Sequence, residues 1–114
     1  MNKVIAIQSD NLKKINPLTD TSLQLAFEAQ KRGYKIFWYE PISLRFINSK
    51  LIVHGSLVKL YEKNNHFYKI IKNKEFDISK ASFILIRQNP PFNMNYINST
   101  YFLDNIDPKK VINK

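Results

Sequence analysis

Val4-Ile5-Ala6-Ile7 is a continuous apolar run that breaks into Gln8-Ser9-Asp10. Four apolar residues without alternation predict a strand buried on both faces, as the inner strands of parallel sheets are, opening into a polar loop at its carboxyl end. Asp10 stands at that edge, either as a ligand contact or as a turn former ahead of Asn11. From Lys13 to Thr19 the pattern is lost and Pro17 breaks it, so this stretch reads as loop. Thr19-Asp20-Thr21-Ser22 then offers several capping oxygens just before Leu23, Ala26 and Phe27 take up helical spacing, with Leu25 and Ala29 widening the apolar face. Lys31 and Arg32 oppose the dipole in the last turn and Gly33 supplies a left-handed stop. Tyr34-Lys35-Ile36-Phe37-Trp38-Tyr39 follows at once, rich in aromatic and β-branched residues, and completes a βαβ unit closed by Pro41.

From Ile42 to Lys80 the pattern changes. Leu44-Arg45-Phe46-Ile47 and Leu51-Ile52-Val53-His54 flank Asn48-Ser49-Lys50, and Leu57–Tyr61 and Phe67–Ile71 flank residues 62–66, which predicts short antiparallel hairpins. Phe83-Ile84-Leu85-Ile86 is a second unbroken apolar run, ending abruptly in Arg87-Gln88-Asn89-Pro90-Pro91-Phe92-Asn93. If the run is a parallel strand, Arg87 leaves the sheet at its carboxyl end, where open α/β folds place their ligands. Its planar fork suits a carboxylate or phosphate, and the double proline holds the next loop extended. Asn93 caps a second predicted helix from about Met94 to Ile106, with Met94, Ile97 and Tyr101 on one face and Phe102 and Ile106 beside it; Asp107-Pro108 ends it. Val111-Ile112 begins another apolar segment.

Composition narrows the chemistry. A chain of 114 residues with 44% hydrophobic content suits one domain. No run approaches the roughly 20 apolar residues of a membrane helix, and the apolar stretch behind Met1-Asn2-Lys3 is too brief for a secretory signal, so a cytoplasmic location is expected. With no cysteine there is no disulfide, no thiolate metal site and no cysteine nucleophile. His54 and His66 lack a local ligand partner. With only two glycines, Gly33 and Gly55, neither a phosphate-binding loop nor a dinucleotide fingerprint is present. The net charge of +9 invites a nucleic-acid reading. The basic residues nevertheless run in nothing longer than pairs, a scatter that fits a solvated surface better than a footprint on one face, and no nucleic-acid or membrane partner is expected. From the residues alone the expectation is an α/β domain with an anion-binding edge, whose walls are Arg87 and the helix start Asp20-Thr21-Ser22; that helix start either caps itself or offers N–H groups and hydroxyls to a ligand.

Taken in order and spacing, Asp20-Thr21-Ser22, then Glu28-Ala29-Gln30-Lys31-Arg32-Gly33-Tyr34, then Ile84-Leu85-Ile86-Arg87-Gln88-Asn89-Pro90-Pro91-Phe92-Asn93, then Ser99-Thr100-Tyr101 and Val111-Ile112-Asn113 resemble the N-terminal domain of prokaryotic glutathione synthetase. The resemblance implies a three-layer, Rossmann-like (pre-ATP-grasp) domain with a mainly parallel sheet, helices on its faces and an inserted antiparallel hairpin region. It implies a ligase that joins γ-glutamylcysteine to glycine through an acyl-phosphate, with ATP and Mg2+ (or Mn2+) held by an ATP-grasp domain that follows this one and is absent from these 114 residues. Residues 1–114 would then be the substrate domain, inactive alone and part of a homo-oligomer when full length. Arg87 would clamp a peptide carboxylate while Asp20, Thr21 and Ser22 add hydrogen bonds; no catalytic, cofactor-binding or metal-binding residue is implied within the chain. Four positions depart from the family pattern. Gln88-Asn89 stands where Lys-Asp is typical, Asn93 where Asp is, and Thr19 where lysine is common.

Overall fold

The computed structural model describes residues 3–62, 66–86 and 108–113. Among the described residues seven strands form one sheet: β1 (Val4–Gln8), β2 (Lys35–Tyr39), β3 (Arg45–Ile47), β4 (Lys50–Leu60), β5 (Tyr68–Asp77), β6 (Phe83–Ile86) and β7 (Val111–Asn113). One helix, α1 (Thr21–Lys31), is described. Strands β2, β1, β6 and β7 lie side by side and parallel, with Ala6 opposite both Phe37 and Ile84. Antiparallel β4 joins the outer side of β2, and β3 and β5 both pair with β4. The expected α/β class holds, with a mainly parallel centre and an antiparallel extension. The second predicted helix, from about Met94 to Ile106, lies outside the described residues.

The apolar tetrad becomes a central strand because both of its faces are covered. Ala6 belongs to a core with Phe37, Tyr39, Val53, Ile78, Ile84 and Ile86, whereas Ile7 belongs to the opposite core, with Leu23, Ala26, Ile36, Trp38, Val58 and Leu85. Helix α1 packs on the second face through Leu23, Ala26 and Ala29. Leu25, expected on the apolar face, is 40% exposed and lines an apolar hollow of about 310 Å³ with Ile5, Ile7, Phe83, Leu85 and Ile112. The predicted stop is in place, with Gly33 at φ +93° and the amides of Gly33 and Tyr34 bonded back to Gln30 and Ala29. Gln30 ties the helix to the antiparallel extension. Its amide nitrogen donates to the Leu60 carbonyl and its amide oxygen accepts from the Leu60 N–H, both at 2.9 Å.

Two runs expected as separate strands, Leu51–His54 and Leu57–Tyr61, merge into the single eleven-residue β4. Gly55 lies between them and reads locally as a break. In the sheet it is a close approach, because a Cβ there would strike the Trp38 carbonyl oxygen and lie 2.8 Å from Tyr39 Cβ. Beyond it, Leu57 faces Lys72 and Val58 faces Ile70, so Ile71 forms a bulge. At the β3–β4 turn Asn48 and Ser49 both take positive φ, 50° and 65°, the left-handed pair of a tight hairpin.

Candidate functional site

Because β1 runs into a loop and α1 returns across the sheet, the carboxyl ends of β1, β2 and β6 and the start of α1 share one edge of the molecule. Along it β1 ends in Gln8, which lies opposite Tyr39 on one side and Ile86 on the other. Gln8 is fully buried, as is Ser9 to within 2%. The Tyr39 hydroxyl donates to Gln8 Oε1 at 3.0 Å, and burial pushes the Tyr39 phenol far above its ordinary value. The Trp38 indole N–H donates to the Asp10 carbonyl at 2.8 Å, and the Ser9 amide to the Tyr39 carbonyl at 3.1 Å. The polar loop expected after the apolar run is therefore anchored to β2 before it turns outward.

At the start of α1 the three sequence-predicted residues take three different roles. Asp20 is the N-cap in extended conformation and is buried; its Oδ1 accepts from the Leu23 N–H at 2.9 Å. Thr21 is exposed, beside a cleft of about 550 Å³ that also includes Gln24, Glu28, Lys31 and Glu62. Lys31 is held above its ordinary value, first by its hydrogen bond to Glu62. Ser22 is fully buried, and none of the described residues offers its hydroxyl, or that of Ser9, a hydrogen bond. Two buried hydroxyls left without partners at one edge are uncommon, since such groups are nearly always satisfied. Arg87 lies outside the described residues. The chain reaches it directly after Ile86, the last residue of β6 and the neighbour of Gln8.

A groove of about 300 Å³ opens next to this edge, where Asn11 and Lys13 of the loop, Glu40 after β2, and His54, Ser56 and Asn73 of the antiparallel strands converge over Trp38 and Tyr68. The Ser56 hydroxyl is hydrogen-bonded to Asn73 Oδ1. This groove was not legible in the sequence, because it gathers side chains from strands whose pairing no local pattern specifies. His54 lines it, with Glu75 directly opposite on β5, but no ion pair to His54 forms among the described residues and Glu75 pairs with Arg45 instead. Among the described residues no cluster of three histidine, aspartate or glutamate side chains could hold a metal ion. Gly33 stands at a helix stop and Gly55 inside a strand, so neither belongs to a glycine-rich phosphate loop.

These features define a Rossmann-like α/β domain with a polar edge at the carboxyl ends of its parallel strands. Residues 4–114 match the family model described as prokaryotic glutathione synthetase, N-terminal domain, and the chain belongs to that family. It is 33% identical over 108 residues to a glutathione synthetase of Mesorhizobium japonicum, covering 95% of this chain and 34% of that protein. It is 34% identical over 110 residues to the glutathione synthetase of Agrobacterium fabrum, covering 96% and 34%, and 32% identical over 108 residues to that of Buchnera aphidicola from Acyrthosiphon pisum, covering 95% and 34%. The chain thus spans about a third of the length of these relatives.

Proposed function

We propose that this domain forms the peptide-binding wall of a glutathione synthetase, which ligates γ-glutamylcysteine and glycine at the expense of ATP. The observation that carries the reading is the family match across residues 4–114, and the polar edge is where that family membership acquires a geometry. Arg87, directly after β6, presents a guanidinium fork to a carboxylate of the γ-glutamyl peptide. The Thr21 hydroxyl and the first turn of α1 supply further donors, favoured by the positive end of the helix dipole. Asp20 holds that turn in place through its cap. The buried Ser22 and Ser9 hydroxyls lie behind this surface and keep hydrogen-bonding capacity for a bound group or water. The domain's part in the reaction is orientation, which brings the reacting carboxylate toward the partners that activate it.

ATP and Mg2+ supply the activation of that carboxylate in such a ligase, and they belong to an ATP-grasp domain of the same polypeptide. Residues 1–114 alone do not turn over. The protein works in the cytoplasm, as a homo-oligomer. The test is ADP release by the full-length protein. Turnover that requires γ-glutamylcysteine and glycine together supports the reading, and ATP hydrolysis indifferent to both would overturn it. The neutral Gln88, Asn89 and Asn93 favour one competing reading, a peptide-binding module without ligase activity. Calorimetric binding of γ-glutamylcysteine with no ADP release by the full-length protein would identify it.

A further inference from the structure

Strand β5 is the outermost strand of the antiparallel extension, ten residues long and paired among the described residues with β4 alone. Its outer side therefore carries a row of backbone N–H and C=O groups available to another strand. The register sorts its side chains. Lys69 lies opposite Lys59, Lys72 opposite Leu57 and Lys74 opposite Gly55, which puts all four lysines on the sheet face away from α1. Ion pairs among the described residues involve Lys31 and Arg45, not these lysines. The ammonium groups of Lys59 and Lys74 lie instead over the Tyr61 and Phe76 rings, at 5.8 and 5.4 Å from the centroids. Lysines that look scattered along the sequence are thus gathered on one face by strand pairing. Like charges directly opposite one another, as Lys59 and Lys69 are, destabilise a sheet unless something negative covers them. On the α1 face of the same strand, Ile70 sits opposite Val58 and is 47% exposed, and the bulge residue Ile71 is 62% exposed.

We infer that the β5 edge is a docking strand for an extended acidic segment of a partner protein, one in which acidic and apolar residues alternate. An added strand has period two. Its acidic side chains then face Lys69, Lys72 and Lys74, its apolar ones lie on the other side with Ile70, Asn73 and the Arg45-paired Glu75, and its backbone pairs with the open edge. A second copy of β5 is a poor occupant, because antiparallel self-pairing about the middle of the strand sets lysines against lysines. A nucleic acid would use the charge but neither the backbone row nor the exposed isoleucines.

The experiment titrates an acetylated peptide of about eight residues alternating Glu and Val into the 114-residue chain and follows backbone amide shifts. Shifts confined to β5 and its β4 neighbours are expected, with binding that weakens as salt rises. The double variant Lys72→Glu/Lys74→Glu, at one exposed and one half-buried position and checked for native circular dichroism, should lose about tenfold or more in affinity. It should in turn bind a peptide alternating Lys and Val that the unmodified chain rejects. No shifts at β5, equal affinity of the variant for the Glu peptide, or failure of the swapped pair would each overturn the inference. So would salt-sensitive binding of a DNA duplex with no peptide binding, or dimerisation of the chain through β5.

Discussion

Asp20, a residue of the proposed site, has a role in the fold that the structure shows. Its carboxylate caps α1 by accepting from the Leu23 N–H. Replacing Asp20 with Ala should lower stability by about 0.5–2 kcal/mol, the usual cost of a lost cap, measured by urea unfolding. Tyr39 is the other residue with a readable energetic signature. Burial raises its phenol above the ordinary tyrosine value near 10, so the folded state keeps the proton while the unfolded chain releases it. Its contribution is complete below about pH 10 and is lost as the pH climbs above that value. Unfolding free energy measured between pH 9 and 12 should therefore fall less steeply in Tyr39→Phe than in the unmodified chain, at the cost of the hydrogen bond to Gln8. The capping oxygens of Asp20 were legible because an N-cap is decided within four residues. The burial of Ser22 was not, since it depends on which side of α1 the sheet lies.

Among the elements, α1 and β4 are coupled by one side chain. Gln30 closes two hydrogen bonds with the backbone of Leu60, thirty residues away, in a partly buried setting. Gln30→Ala leaves a donor and an acceptor unmet and should cost about 1–3 kcal/mol. Faster hydrogen exchange at the Leu60 amide, with little change at the centre of β1, would locate the loss at this joint. The same element shows where sequence reading fell short. A glycine between two apolar runs signals a break when only local preferences count. Gly55 instead lets the backbone of β4 pass close to Trp38 and Tyr39 of β2, a requirement that arises only once the two strands pair. The β1–α1–β2 unit was legible nearly to the residue, because each boundary carries its own chemistry: a polar break, a cap and a glycine.

For the whole molecule, the arrangement that matters is the convergence of three parallel strand ends and one helix start on a single edge. Arg87 comes directly after β6 in the sequence and lies outside the described residues, and its proposed contribution can be read only in the full-length protein. In the full-length protein Arg87→Lys keeps the charge but loses the fork, and γ-glutamylcysteine binding measured by calorimetry should weaken by about 1–3 kcal/mol. Unchanged affinity would remove Arg87 from the site. By itself the sequence determined the α/β class, the βαβ unit, the limits of α1 and the family, because these rest on local periodicity, caps and motif order. Tertiary structure alone decided that β4 is one long strand, that the groove over Trp38 exists, and that dispersed lysines share a face. Each of those depends on strand register, and a shift of one residue in register would turn every one of those side chains to the other side of the sheet.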